Sequence, residues 1–291
     1  MIDLHMHSRE SDGSLTPQAL AAACRKAGVT AAALTDHDTV AGCRDFLSAC
    51  AEEGIAGLAA VELSAEYSPG TMHILGYIPT ASIDAFQQEL IDVQSSRADR
   101  NQRILGVLAD LGFPVDATEV AKLAGQGMTG RPHIAAAMQA LGYVKNRQEA
   151  FARFLGKGCP AYCERYRLTP KTCVQKICAH GGVAVLAHPF TLGLSEQALR
   201  ACIADLVSFG LAGLEVFYPE HHDARRRCYQ RLAREFNLIE TGGSDFHGDM
   251  NPAIMIGRGF GNLHVPDSGW EKLLAHIQVP DPDVRLSATN R

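Results

Sequence analysis

Nine imidazole and carboxylate side chains recur where strand-like segments end. His5 and His7 are alternate residues, so on one strand they point to the same face. Asp12 follows in a loop. His37 stands in Thr-Asp-His-Asp at 35–38, Glu62 ends a third apolar segment, and His73 lies on a fourth. His188 stands in Ala-His-Pro at 187–189, and Asp245 and His247 stand in Ser-Asp-Phe-His at 244–247. Groups of these types bind divalent cations, and nine of them without a thiolate can satisfy two or three ions. A single histidine at a strand end is more often a hydrogen-bonded rim residue. So many at successive strand ends are poorly explained by coincidence. Packed together, they would be very costly to bury without cations to neutralise the carboxylates.

Convergence requires strands that deliver these residues to one place. Segments 2–7, 31–35, 57–64, 72–78, 183–187, 213–217 and 238–241 read as strands. Helices are expected from Thr16-Pro17 to 27, over 39–53, from Thr169-Pro170, after a cap at Ser195, and over 223–236. Repeated strand–helix units predict an α/β fold with a parallel sheet, open or closed into a barrel. In a barrel, the C-terminal strand ends meet at one site. The middle breaks this rhythm. Helix signals cover 82–111, 118–124, 131–141 after a cap at Thr129, and 147–155 after Asn146. Residues 95–168 therefore read as a helical insert within a body formed by 1–94 and 169–291.

Composition bounds the function classes. The 291 residues are 46% hydrophobic and 20% charged, which excludes a mainly disordered chain. The absence of an 18-residue apolar run predicts no membrane span. Nor does a basic start lead into an apolar stretch, so no secretory signal is expected. The nine cysteines are an odd number without a CxxC pair, and read as free thiols in a reducing cytoplasm. Charge is unevenly placed: residues 95–171 carry 12 Lys/Arg against 6 Asp/Glu, a net of +6, and the remaining chain carries −11. An acidic body can hold cations, and a basic segment can attract anionic ligands. The stretch Gly125-Gln126-Gly127-Met128-Thr129-Gly130 fits G-x-G-x-x-G, but it follows a helical run rather than a strand. A dinucleotide site is therefore not expected there.

Asp-Leu-His-Met-His-Ser at 3–8, Thr-Asp-His-Asp at 35–38, Glu62, Ala-His-Pro at 187–189 and Ser-Asp-Phe-His at 244–247 resemble the motifs of PHP-domain (polymerase and histidinol phosphatase) metal phosphoesterases. The resemblance covers 2–80 and 170–250. It implies a distorted, TIM-like (β/α)7 barrel with a trinuclear metal site. It also implies a grouping: His5, His7, Glu62 and Asp245 around one ion; Glu62 bridging to a second with His73 and His188; Asp12, His37 and His247 around a third. Glu62, Asp245 and His188 then carry the catalytic role. Mn²⁺ is the expected metal, with Zn²⁺ and Fe²⁺ as alternatives. Two such ions lower the pKa of a shared water and neutralise phosphoryl oxygens, which suits phosphate-ester hydrolysis. The leaving-group acid is not identified; Asp36, Asp38 and His222 stand near motif ends.

The insert is similar to that of the bacterial subgroup acting on nucleoside 3′,5′-bisphosphates, through Arg97-Ala98-Asp99-Arg100-Asn101, Thr129-Gly130-Arg131-Pro132-His133 and Phe154-Leu155-Gly156-Lys157-Gly158. Related members are linked to 5′-to-3′ trimming of short RNA. A second phosphate, remote from the reacting one, needs charge-assisted donors. Arg100, Arg131 and Lys157 are the leading candidates, with Arg97, Asn101 and His133 beside them. Arg103, Arg147 and Arg153 are expected to solvate helix faces. The expected partner is a small nucleotide with two phosphates, or short RNA, with no membrane and no evident protein partner. The competing readings are an exonuclease on 5′-phosphorylated RNA, a histidinol phosphatase, and a non-catalytic scaffold.

Overall fold

The computed structural model describes residues 1–124 and 127–277; Gly125 and Gln126 of the glycine motif lie outside them. The chain opens with β1 (Ile2–Asp3), α1 (Pro17–Ala27), β2 (Ala31–Leu34), α2 (Cys43–Glu52), β3 (Ala56–Ala65) and β4 (Met72–Ile78). Five helices follow: α3 (Ile83–Gln88), α4 (Ile91–Asp110), α5 (Ala117–Ala124), α6 (Arg131–Ala140) and α7 (Arg147–Ala150). The alternation then resumes with α8 (Pro170–Ala179), β5 (Val183–Leu186), α9 (Glu196–Phe209), β6 (Gly213–Phe217), α10 (Asp223–Glu235), β7 (Ile239–Gly242) and α11 (Asp267–His276).

Local chemistry explains the helix starts. Thr16, Thr169 and Ser195 each adopt extended backbone and accept an N–H from three residues on, and Pro17 and Pro170 take the first helical position. The expected cap at Thr129 is not used. Gly130 caps α6 instead, and its N–H is accepted by the His133 ring at 3.1 Å. Thr129 is engaged elsewhere, accepting from the Asn101 amide through its carbonyl (2.9 Å) and its hydroxyl (3.1 Å).

The seven strands form one sheet in sequence order. It is not all parallel as expected: β4 pairs antiparallel with both β3 and β5. The turn after β3 is too short for a crossover helix, so β4 must run back alongside it. β1 is also shorter than the segment 2–7. Beyond Asp3 the backbone leaves the ladder and closes the ring towards the segment after β7. Leu4 N–H donates to Gly242 O (3.2 Å), Asp245 N–H to His5 O (2.8 Å), and His7 N–H to Phe246 O (2.9 Å). The result is a nearly closed α/β barrel. Gly243 permits this closure, since a Cβ there would lie 2.3 Å from the His5 nitrogen.

The helical middle builds its own core, in which Ile104, Leu108, Ile134, Met138, Phe154 and Leu155 pack together. Helix α4 joins both cores: Val93 packs into the barrel, and Leu105 and Leu108 into the second cluster. The position 95 chosen as a boundary thus falls inside a continuous helix. Among the described residues no helix is long and apolar enough to cross a membrane.

Candidate metal centre and its adjoining cavities

The strand ends bring the nine expected residues to one place. Glu62, on β3, is buried at the centre. Its Oε2 lies 3.2 Å from His5 Nε2, 3.1 Å from His7 Nε2 and 3.1 Å from His37 Nδ1. Its Oε1 lies 2.6 Å from His73 Nδ1 and 2.9 Å from His188 Nε2. A carboxylate with imidazoles on both oxygens is placed to bridge. Asp245 Oδ1 lies 3.0 Å from His7 Nε2 and 3.3 Å from His5 Nε2, and Asp12 Oδ1 lies 3.2 Å from His247 Nε2.

Three groups of donors lie close enough to share an ion: His5, His7, Glu62 and Asp245; His7, Asp12, His37 and His247; and His37, Glu62 and His73. The first has the membership the resemblance implied. The second adds His7 to its expected set. In the third His37 stands with Glu62 and His73, while His188 touches Glu62 beside them.

These residues fit divalent cations on three counts. First, His5 Nε2, His7 Nε2, Asp12 Oδ1, His37 Nδ1 and Asp245 Oδ1 are buried without a hydrogen-bond partner, although all of them converge. Buried polar atoms are normally paired, so orphans aimed at one point mark a missing ligand. Second, the far ring nitrogens are anchored. His5 Nδ1 meets Glu215 Oε1 at 2.9 Å, and His247 Nδ1 meets the Asp245 carbonyl at 2.8 Å. Such contacts fix the tautomer that leaves Nε2 free to ligate. Third, protons alone serve the cluster badly. Burial opposes every charge here, yet Asp245 and Glu62 hold His7 up at about 10, while burial drives neighbouring His37 down to about 3. Burial likewise raises Glu62, but His37, His73 and His5 hold it well below the usual carboxylate range.

Several supporting residues were not among the candidates. Glu215 on β6 is fully buried; besides His5 it accepts the His188 N–H at 2.7 Å. A carboxylate within the apolar strand Gly-Leu-Glu-Val-Phe was the available signal. The Tyr218 hydroxyl donates to Asp245 Oδ2 at 2.8 Å. Asp36 accepts from Ser8 and Ser11, and so shapes the loop that carries Asp12. Asp38, His188 and Asp245 follow β2, β5 and β7 with φ of 55°, 24° and 54°. Left-handed backbone costs a non-glycine residue about 1–2 kcal/mol, and such strain concentrates at functional sites.

A cavity of ≈ 400 Å³ opens beside the cluster. Asp12, His37 and His73 line one part, and Arg97, Arg100, Arg131, Lys157, Arg165 and Arg167 line another. Arg165 and Arg167 were not anticipated; Glu-Arg-Tyr-Arg at 164–167 lies in a loop without helical period. Arg97 and Arg165 both pair with buried Asp38. Arg167 pairs with Glu164 at 3.0 Å. Arg100, Arg131 and Lys157 have no carboxylate in ion-pair reach among the described residues; they bond to Asn101, the Leu155 carbonyl and Ser68. Burial, then Arg97, Arg131, Arg165 and Arg167, push Arg100 down to about 8.

The other candidates lie elsewhere. Asn101 and His133 do not line this cavity; they are buried and bonded to Thr129 and Gly130. Asp36 and Asp38 are committed to the serines and arginines just named, and His222 caps α10 on the surface, so none of the three faces the cavity. Arg147 does not solvate a helix face as expected. Its guanidinium donates to the carbonyls of Met250 (3.1 Å) and Asp249 (3.3 Å), tying the helical middle to the loop after β7.

The PHP domain model matches residues 3–168, running through the helical middle. The chain is 33% identical to a 5′-3′ exoribonuclease of Haemophilus influenzae, covering 93% of this chain and 98% of that one. It is 30% identical to a 3′,5′-nucleoside bisphosphate phosphatase of Chromobacterium violaceum, covering 96% and 98%. A crystal structure from Bifidobacterium adolescentis, provisionally described as a metal-dependent phosphoesterase, superposes with a TM-score of 0.84 at 28% identity, covering 94% and 96%.

Proposed function

We propose a substrate and a bond for this chain, which belongs to the PHP-domain family and is a metal-dependent phosphoesterase. The proposed reaction is hydrolysis of the 3′-phosphate of a nucleoside 3′,5′-bisphosphate, such as adenosine 3′,5′-bisphosphate to AMP and phosphate. One observation carries it. A single cavity has imidazoles and a carboxylate in one part and six cations in another, of which Arg100, Arg131 and Lys157 have no carboxylate partner among the described residues. A ligand with one reacting and one remote phosphate matches both parts. The volume of ≈ 400 Å³ falls in the range of small-ligand sites, about 300–1,000 Å³.

The donors that converge are oxygens and imidazoles without a thiolate. That choice favours Mn²⁺, two or three ions per chain, over softer metals. Bound cations supply Lewis acidity towards a phosphoryl oxygen and make water a competent nucleophile near neutral pH. Glu62 is proposed to hold two ions together, Asp245 to complete one donor set with His5 and His7, and His188 to orient Glu62. Arg100, Arg131 and Lys157 are proposed to hold the 5′-phosphate, with Arg97 and Arg165 fixed behind them by Asp38. Residues 1–94 and 169–291 then serve as the metal-holding body and 95–168 as the recognising insert. The nine cysteines are free, which accords with a reducing, cytoplasmic setting.

The test is an assay of Mn²⁺-loaded protein on adenosine 3′,5′-bisphosphate, 5′-AMP, histidinol phosphate and a 5′-phosphorylated oligonucleotide. The bisphosphate should be hydrolysed and 5′-AMP left intact. Preferential hydrolysis of histidinol phosphate would refute the proposal. The similarity to an exoribonuclease favours the oligonucleotide as a second substrate of the same centre.

A further inference from the structure

Three barrel loops that the helical middle grips each carry one ligand of the same donor set. In the loop after β1, the Met128 N–H donates to Glu10 O at 3.0 Å, two residues before Asp12. Gly127 lies so close to this loop that a Cβ on it would overlap the Arg9 carbonyl oxygen. The glycine motif at 125–130 thus contributes a docking contact, not a dinucleotide site. After β2, Asp38 follows His37 and accepts from Arg97 and, at 2.7 Å, from Arg165. After β7, the carbonyls of Asp249 and Met250 accept from Arg147 just beyond His247. Asp12, His37 and His247 form one donor set with His7. His7 and His37 also belong to the other two sets, so Asp12 and His247 are the donors peculiar to this one.

The remaining donors are held by the barrel itself. Glu62 and His73 stand on strands, Glu215 holds His5 and the His188 N–H, and Tyr218 holds Asp245. Among the described residues, no hydrogen bond or ion pair runs from 95–168 to within three positions of any of these five. The loops of Asp12 and His247 also hold each other. Ser14 N–H donates to His247 O at 3.1 Å, and Asp249 N–H to Ser14 Oγ at 3.0 Å. Beside them the seam between barrel and helical middle is open. A cavity of ≈ 450 Å³ runs along it, with Asp12 and His247 on one side and Pro132 and Phe151 on the other. A body with its own core, joined by a few hydrogen bonds across open space, shifts at lower cost than a packed element.

We infer that docking of the helical middle completes the His7–Asp12–His37–His247 set, so the ion there is conditional, while the barrel alone holds the other two. Gly127 and Arg147 are the positioning residues. The inference rests on the metal-dependent reading of the donors and not on the choice of phosphate ester. By linkage the coupling is reciprocal: whatever docks the middle more firmly tightens this ion, and the ion firms the docking. A ligand bridging the cationic cavity draws the same two bodies together, so it and this ion favour each other's binding.

Arg147→Met removes the tie to the His247 loop and keeps much of the stem. Gly127→Ala pushes the middle off the Arg9 carbonyl. With cooperative thermal unfolding verified, Mn²⁺ is titrated into each metal-free protein without substrate, and free Mn²⁺ is read by electron paramagnetic resonance. The unaltered protein should take up three ions. In at least one variant, one ion should weaken about 10-fold or more, with the other two within about 2-fold. His247→Ala, which deletes the donor, should lose the same ion, and adding Arg147→Met to it should leave the remaining two unchanged. In hydrogen exchange, Mn²⁺ should slow the Met128 N–H of the unaltered protein and do so less in His247→Ala. No selective loss in either variant, or Met128 exchange indifferent to Mn²⁺, would overturn the inference. Uptake of only one or two ions by the unaltered protein would overturn it and spare the metal-dependent reading; uptake of less than one would refute both.

Discussion

Arg100→Met separates substrate recognition from structural support by the sign of two changes. Arg100 is 2% exposed, its Nε donates to the Asn101 side-chain carbonyl at 3.0 Å, and no carboxylate pairs with it among the described residues. Its guanidinium stays protonated at neutral pH, so the burial, and after it the repulsion from neighbouring arginines, that push it down are borne as folding free energy. Methionine keeps much of the stem and removes the charge. Replacing a buried, poorly compensated charge by an apolar group is neutral or stabilising by about 1–4 kcal/mol. At about 2 °C per kcal/mol for a chain of this size, Tm should hold or rise by several degrees in anion-free buffer. Activity should move the other way. A charge-assisted contact to phosphate is worth about 1.5–3 kcal/mol, so kcat/KM on the bisphosphate should fall about 10- to 150-fold. An aryl phosphate, which has no second phosphate, should be hydrolysed nearly as before. Differential scanning fluorimetry and steady-state kinetics read the two effects. A fall in Tm, or an equal loss on both substrates, would show that Arg100 supports the fold and would refute the reasoning.

Glu62→Ala should abolish most activity and reduce bound Mn²⁺, measured by elemental analysis after reconstitution; the unaltered protein should retain at least two ions per chain, and fewer than one would contradict the bridging role. Chelation should lower the Tm of the unaltered protein, because a ligand at 100 times its Kd contributes about 2.7 kcal/mol. Tyr218→Phe removes the hydroxyl bonded to Asp245 and should cost about 3- to 10-fold in kcat, with circular dichroism unchanged. His221 is buried, and that burial lowers it from 6.5 to about 3. Its unfolded form therefore takes up a proton below about pH 6.5 that the folded form refuses, so it lowers stability as the pH falls towards 3. Urea unfolding from pH 6 to pH 4 should show about 1.4 kcal/mol per pH unit more loss in the unaltered protein than in His221→Phe; parallel slopes would refute the assignment.

The strand ends were legible because their chemistry repeats with a fixed geometry. An alternate His-x-His pair, and histidines directly after short apolar runs, announce both the strand and the place where it stops. The sheet order was less legible. Parallel pairing follows from strand–helix alternation, but β4 follows β3 without a helix and reverses, and β1 gives up its ladder after Asp3 to close the ring. Both features depend on long-range partners. The same limit explains the mixed outcome among the basic residues. Arg100 and Arg131 lie on helices whose charge was conspicuous, and both reach the cavity. Asn101 and His133 share those helices but turn to the 129–130 loop, a contact no periodicity encodes. Arg165 and Arg167 were missed because a loop has no period to read, and Glu215 because a lone carboxylate in an otherwise apolar strand does not announce which side chains it meets.

The chain solves an electrostatic problem by dividing it. Carboxylates that hold cations and arginines that hold anions neutralise each other if left free to pair, and each site would then lose its ligand. Here the acidic charge lies in the barrel and the basic charge in the helical middle, with α4 spanning both cores to fix their spacing. Asp38 is the exception. It follows His37 in sequence, sits in left-handed backbone, and accepts from Arg97 and Arg165 while also accepting the Ser64 N–H at 2.9 Å. One barrel carboxylate thus anchors two arginines of the cationic wall, and among the described residues no second carboxylate does the same for Arg100 or Arg131. The anchored pair defines where the wall stands, and the two unpaired guanidiniums leave it with a positive charge that a substrate phosphate can answer.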